Sequence, residues 1–314
     1  MTGRPFEVLT IGRVSVDLYP QQIGVPLAEV ESFGKFLGGS PTNVAVAAAR
    51  LGHRSAVITK VGADGFGDYV REALRGFGVD DRFVGTDPDL RTPLVFAEIY
   101  PPDHFPLLFY REPKAPDMNI TPDDIDMDAV REAEIFWTTG TGLSDEPSRS
   151  TTLAALATRG RRRHTIHDLD FRPMFWHSAA QAGRYQREAL ANATVVVGNR
   201  EECAVAVGDR EPSEQAKRLL DLGLDWAIVK MGPEGVLVAW QEGLQQIPPI
   251  EVEVVNGLGA GDAFGGALCH GLLLGWDPVE TVIFANAAGA YVATQLACAD
   301  AMPTEDQIRE MLDG

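Results

Sequence analysis

The sequence predicts an α/β fold: a mostly parallel sheet covered by helices, with a small antiparallel β lid outside it. Three observations point there. Short apolar runs of strand length alternate with helical patterns along most of the chain, which implies βαβ units and a parallel sheet buried on both faces. Two stretches, Val14 to Leu37 and Leu94 to Arg111, break that alternation. The composition is that of an ordinary globular protein, with 314 residues, 45% hydrophobic and 23% charged. That is enough apolar content for a full core, and it excludes collagen, low complexity and wholesale disorder.

The elements can be justified in order. Phe6 to Gly12 reads as the first strand and Pro41 to Leu51 as a helix rich in Ala. Arg54 to Val61 is strand-like, and Phe66 to Phe77 reads as a helix closed by Gly78. Four more short apolar strands follow at Ile135 to Thr139, His164 to Leu169, Thr194 to Val197 and Trp226 to Lys230, with helices at Ala179 to Asn192 and Pro212 to Leu222 between them. Val252 to Val255 predicts a strand before a glycine-rich turn, and Ala263 to Leu274 the helix after it. Val282 to Cys298 is rich in small residues but interrupted by Asn286 and Gln295. It falls short of the ~20 apolar residues that span a bilayer and reads as a buried helix.

In the first irregular stretch, Pro20, Gly24 and Pro26 interrupt any helical period. The second carries Phe96, Tyr100, Phe105, Phe109 and Tyr110 around Pro101-Pro102, more aromatics than a surface loop usually holds. Both therefore read as strands of a lid, over about 13–37 and 92–112, in a chain whose length allows one large domain or two ordinary ones. Arg161-Arg162-Arg163 reads as a solvated turn before a strand. His164 and His167, three apart on a strand, face opposite ways and do not converge on a metal.

Lys plus Arg number 27 and Asp plus Glu 45, a formal net charge of −18. Such a surface repels nucleic acid and anionic membranes, so neither is an expected partner. Cys203, Cys269 and Cys298 are odd in number and form no CxxC, which fits a reducing compartment. Met1 to Glu7 is too short and polar to start a signal peptide, and a cytoplasmic location is expected.

The strongest chemical signal is Asn256-Gly257-Leu258-Gly259-Ala260-Gly261-Asp262, opening a helix. Small residues at 259, 260 and 261 let an anion approach backbone N–H groups at a helix N-terminus. Asp262 in the first turn has two readings: a carboxylate favoured by the helix dipole, or a base beside an anion hole. The second suits phosphoryl transfer, which needs charge stabilisation and a positioned acceptor hydroxyl. No Walker A motif is present, and no GxGxxG follows the first strand, which counts against a nicotinamide-dependent oxidoreductase.

Gly259-Ala260-Gly261-Asp262 resembles the C-terminal signature of the ribokinase-like (PfkB) carbohydrate kinases, and Gly38-Gly39-Ser40-Pro41-Thr42-Asn43 their N-terminal one. Gly12 with Asp17, Asn199-Arg200-Glu201-Glu202 and Lys230-Met231-Gly232-Pro233-Glu234-Gly235 resemble three further family motifs, all in the family's order. Within the family, Gly12 to Tyr19, Phe105 to Glu112, Asp168 to Trp176 and Cys298 to Thr304 are most similar to the 5-dehydro-2-deoxygluconokinases. Kinases for 2-keto-3-deoxygluconate or a ketohexose, and a non-catalytic sugar or nucleotide sensor on the same fold, remain alternatives.

The resemblance implies a single domain spanning 1–314 with a three-layer αβα core, an ATP-dependent sugar-acid kinase and a homodimer formed through the lid. Asp262 would be the base and Gly259, Ala260 and Gly261 the anion hole. Asp17, Gly38, Gly39 and Asn43 would hold the sugar, and Arg111 and Arg172 its carboxylate, with Lys35 and Arg13 ranked behind them. Lys230, Gly232, Gly235, Asn256, Gly257 and Asn286 would lie near ATP. Asn199 and Glu202 would place Mg2+ through waters. Read without the resemblance, Asn199 and Glu202 make a helix cap, Gly38-Gly39 a tight turn, Asn43 a helix-start cap and Asn286 a packed polar side chain. Asn256 stands where relatives often carry an Asp that binds a monovalent cation, which puts K+ activation in doubt. Asp170 stands where the family's motif has Asn.

Overall fold

A computed structural model describes residues 5–162 and 164–313. The chain runs β1 (Val8–Ile11), β2 (Ser15–Pro20), β3 (Phe33–Gly38), α1 (Ser40–Arg50), β4 (Ser55–Gly62), α2 (Gly65–Gly76), β5 (Val84–Asp87), β6 (Leu94–Ala97) and β7 (Leu107–Tyr110). It continues α3 (Met127–Glu132), β8 (Ile135–Thr139), α4 (Ser148–Arg159), β9 (His164–Asp168), α5 (Ala179–Leu190), β10 (Val195–Asn199), α6 (Arg200–Val207), α7 (Pro212–Asp221) and β11 (Trp226–Lys230). Last come β12 (Val236–Trp240), β13 (Gly243–Ile247), α8 (Ala260–Leu274), α9 (Pro278–Ala293) and α10 (Glu305–Asp313).

Nine strands form the main sheet, in the order β13-β12-β11-β10-β9-β8-β1-β4-β5. The pairs from β11 to β5 are parallel, and β12 and β13 close one edge antiparallel. Side chains alternate between its faces as a period of two demands. Val8, Val195, Val197 and Ile228 pack with α1, α8 and α9. Leu9 and Phe136 face α4 and α5 on the opposite side, and Val196 and Val229 face α6 and α7 there. Both faces are dry, which is why these strands read as unbroken apolar runs.

The lid is a separate four-stranded sheet, ordered β3-β2-β6-β7. Its outer pairs are antiparallel, but the central pair β2–β6 is parallel. That departs from the wholly antiparallel lid expected from sequence. The two lid segments enter from distant parts of the chain, so nothing obliges them to meet as a hairpin.

Three other expectations need correcting. Val252 to Val255 is not a strand. Val255 and Asn256 donate their N–H groups to the carbonyl of Ala293 at the end of α9, so this backbone is satisfied away from the sheet. The helix expected from Ala263 begins at Ala260. The apolar run expected to be helical to Cys298 leaves the helix after Ala293. Arg161 and Arg162 are exposed as expected, whereas Arg163 lies outside the described residues, as do Met1 to Arg4. His167 sits between Thr138 and Gln186, at 2.8 and 2.6 Å, and burial pulls it down to about 4, so it is a neutral structural group. Among the described residues no helix is long and apolar enough to cross a membrane.

Candidate active site

Parallel strands place their carboxyl ends on one side of the sheet, and that is where an α/β fold leaves room for ligands. Two cavities lie there. One, of about 260 Å3, is enclosed between the lid and the start of α8. The other, of about 600 Å3, is bounded by Gly232, Gly235, the irregular segment around Ile250 to Val254, Phe264 and Asn286. Lys230 and Gly261 line both, so the cavities meet at the N-terminus of α8.

That N-terminus is built from its glycines. Gly259 adopts φ +86°, a left-handed conformation natural to glycine, and a Cβ there would come within 2.8 Å of the Cys298 Sγ. No side chain caps the helix. Asp262 lies in the first turn, and its Oδ2 accepts from Asn43 Nδ2 of α1 at 2.8 Å. Burial pushes the Asp262 carboxyl up, and the Asn43 and Ser40 hydrogen bonds hold it back. The carboxylate is therefore engaged by another helix rather than spent on capping its own.

On the lid side, Asp17 of β2 accepts from Ser15 at 2.7 Å and Tyr19 at 3.1 Å. Gly38 lies across the lid strands from Ser15, and a Cβ there would stand 2.1 Å from Asp17 Oδ1. Gly38 thus makes room for the carboxylate without lining the cavity itself. Gly39 does line it, at φ +102°.

Arg172 lines the cavity as expected and lies 3.3 Å from Asp170. Arg111 does not line either cavity. The buried Asp117 takes its guanidinium, with one contact at 3.2 Å and a shorter one from the other nitrogen, and also accepts the N–H of Val14. Lys35 is turned onto the Tyr69 ring. The cation that faces the cavity instead is Arg13, 6% exposed and 3.9 Å from Asp170. Burial pulls the Arg13 guanidinium down and Asp170 supports it. The Nε atoms of Arg13 and Arg172 are both buried without a partner among the described residues. The Asp at 170, unexplained from sequence, is thus a shared anchor for two arginines, and the oxygen facing Arg13 also accepts from Thr141 at 2.6 Å.

Asp168, Glu202 and Lys230 crowd the floor of the cavity. Burial, reinforced by Glu202 and Asp170, pushes Asp168 up to about 8. Burial alone would lower Lys230, but the acids around it, Asp168 and Glu202 first, leave it raised. Asn199 and Glu202 form a closed capping box: Asn199 Oδ1 accepts from the Glu202 N–H at 2.9 Å, and Glu202 accepts from the Asn199 N–H at 2.7 Å. The other Glu202 oxygen accepts from the Phe171 N–H. Both carboxylate oxygens are already engaged, so the pair suits a hydrated cation reached through water rather than direct ligation. Among the described residues no group of three His, Cys, Asp or Glu is placed to hold a metal directly.

The remaining residues expected near a nucleotide divide. Gly232, Gly235 and Asn286 line the larger cavity, Asn286 while donating to the Pro248 carbonyl at 3.0 Å. Gly257 lines the smaller one, close against the Phe105 ring of the lid. Asn256 is fully buried and lines neither, since its amide bridges Leu296 and Leu258. Tyr19 and Cys298, joined at 2.7 Å, line the smaller cavity, and neither is among the residues expected at the site.

Residues 6–305 match the family model for pfkB family carbohydrate kinases. The chain is similar to a 5-dehydro-2-deoxygluconokinase of Clostridium perfringens, 33% identical over 98% of this chain and 93% of the relative. It is also similar to the crystal structure of a fructokinase double mutant from Vibrio cholerae holding fructose, ADP and potassium ion (TM-score 0.86, 27% identity, 99% of both chains). A third likeness is to an uncharacterized sugar kinase from Pyrococcus horikoshii in complex with ATP (TM-score 0.80, 28% identity, 97% of this chain and 99% of the other).

Proposed function

The chain belongs to the pfkB family of carbohydrate kinases, phosphotransferases acting on a sugar hydroxyl, and on that premise we propose that it phosphorylates the 6-hydroxyl of 5-dehydro-2-deoxy-D-gluconate with Mg2+-ATP. The observation that carries this reading is the junction of the two cavities at Lys230 and Gly261, beside Asp262. ATP occupies the larger cavity and the sugar acid the smaller, with the γ-phosphoryl group at the junction.

Asp262 accepts the proton of the sugar hydroxyl as its oxygen bonds to phosphorus and the bond to the bridging oxygen of ADP breaks. The transition state is loose, so alignment and charge stabilisation dominate. The N–H groups at Gly259, Ala260 and Gly261, with Lys230, hold the charge that develops. The capping box of Asn199 and Glu202 would hold the waters of a bound Mg2+, which would neutralise phosphate charge further. Asp17, Gly39 and Asn43 hold the sugar hydroxyls. Arg13 and Arg172 turn unpartnered N–H groups on the carboxylate, a role in which Arg excels. Arg111 supports that wall through Asp117 and Val14. Asn256 offers no charge and its oxygen already accepts from Leu258, which supports activity without K+. The lid excludes water over the sugar, and its outer face forms a homodimer.

The test is ADP release with Mg2+-ATP and a panel of 5-dehydro-2-deoxygluconate, 2-keto-3-deoxygluconate, fructose and ribose. Strong turnover on the first alone, reduced about 10²- to 10⁴-fold by Asp262→Asn, is the expected result. Preference for fructose would overturn the acid substrate. Sugar binding without turnover, equal in wild type and Asp262→Asn, would instead indicate a sensor.

A further inference from the structure

The Asn43 amide has two ends, and the structure uses only one of them on protein. Nδ2 donates to Asp262 Oδ2 at 2.8 Å. An ionised carboxylate only accepts hydrogen bonds, so the amide must present nitrogen to Asp262, and its oxygen must face another way. Among the described residues that Oδ1 has no partner, and it is buried, on a residue 3% exposed that lines the smaller cavity. A buried carbonyl oxygen without a partner is costly, so it marks a place where a ligand donor is awaited.

The register of the pair is set one helical turn below it. Asn43 precedes Ala47 by four residues on α1, and Asp262 precedes Gly266 by four on α8, so each pair shares a helix face. At Gly266 the helices nearly touch: a Cβ there would stand 2.2 Å from the Ala47 Cβ. Gly265 meets Val44 in the same way, at 2.9 Å. This contact of small residues places the amide against the carboxylate.

We propose that Asn43 is the positioning residue of the base: its Nδ2 holds one Asp262 oxygen so that the other faces the acceptor hydroxyl, while its Oδ1 takes a hydroxyl of the bound sugar. One planar amide thereby ties the orientation of the base to occupancy of the sugar site. This rests on the reading of Asp262 as base. The groups facing Asp262 are Asn43 and Ser40 from α1, Arg13 after β1, Asp170 and Arg172 after β9, Lys230 ending β11, and Cys298 after α9. Of these, Asn43 and Ser40 act on it by hydrogen bonds and the charged groups through charge.

The test is the pH dependence of kcat and kcat/KM for the acceptor in wild type, Asn43→Leu and Asn43→Asp. Asp262 works ionised, so activity falls as pH drops through its pKa. The Asn43 N–H favours the ionised form. Its loss moves the acid limb to higher pH by about one to two units, the worth of a hydrogen bond to a charged group. The aspartate, adding a like charge, moves the limb further than leucine does. At the plateau kcat falls about tenfold or more in both. ATP affinity, measured by calorimetry, stays within about twofold and confirms folding. An unmoved acid limb with only KM raised overturns the proposal and leaves Asn43 a sugar contact. If Asp262→Asn retains full turnover, the reading of the base has failed, independently of Asn43.

Discussion

Arg13 and Arg172 reach the same Asp170, at 3.9 and 3.3 Å, on a cavity wall that also carries Asp17, Asp168, Glu202, Lys230 and Asp262. A buried donor left without a partner is costly, and the Nε atoms of both arginines are such donors among the described residues. The shared contact gives a reason for Asp, rather than Asn, at 170, and on the proposed reading the two Nε donors take the substrate carboxylate. Arg13→Met should lower kcat/KM for the sugar acid by about 10- to 100-fold, the worth of hydrogen bonds to a charged group. For fructose the change should stay within about threefold. An equal loss on both acceptors, seen in steady-state kinetics, would make Arg13 a packing residue. Sequence reading reached Arg172 because it lies in a motif, and ranked Arg111 above Arg13. The choice between those two depends on Asp117, whose fully buried carboxylate takes the Arg111 guanidinium. Nothing in the run Ala115 to Asn119 announces that pairing.

Among the elements, α1 and α8 lie side by side at Ala47 and Gly266, and a histidine pair ties His53, just past α1, to α8. His53 Nε2 and His270 Nδ1 are 2.9 Å apart, and His270 packs against the rings of Trp276 and Phe284. Two cations cannot share that spacing. Burial lowers both imidazoles, His270 from 6.5 to about 4. The unfolded chain therefore binds protons that the folded chain refuses. Stability is lost as pH falls from about 6.5 towards 4, by up to about 3 kcal/mol for His270. In urea unfolding, His270→Gln should lose less stability between pH 7 and pH 5 than the wild type does. Parallel slopes would show that the pair carries no acid sensitivity. The strands that position the site were legible as apolar runs. The hairpin of β12 and β13 was not read: β12 is itself an apolar run, but Gly243 to Ile247 carries two glutamines and exposes three of its five residues at the sheet edge. Val252 to Val255 has a strand's composition, yet its backbone is bound to the end of α9 instead.

At the scale of the whole molecule, the lid's inner face is spent on the cavity while its outer face is left apolar. Phe96 stacks edge-on with Phe33 and Tyr110, at 5.3 and 5.4 Å, and Leu108 and Tyr110 are 47% and 59% exposed. Strands β3 and β7 are free edges of a four-stranded sheet. Exposed aromatic faces and open edges are what proteins cover by pairing. The aromatic content of this segment was visible in the sequence; the face it occupies was not, because that depends on the register of β6 against β7. A lid-to-lid homodimer would bring together two protomers of formal net charge −18. Apolar contact favours such a dimer and charge opposes it. Salt shortens the screening length from about 30 Å at 0.01 M to about 8 Å at 0.15 M, so it should tighten the association. Sedimentation velocity should show dimers whose dissociation constant falls as salt rises over that range. Leu108→Glu with Tyr110→Glu should leave monomers at every salt concentration, with KM for the sugar acid raised as the lid loses its support. A wild type that is monomeric throughout, or a double variant that sediments like it, would remove the lid from the interface.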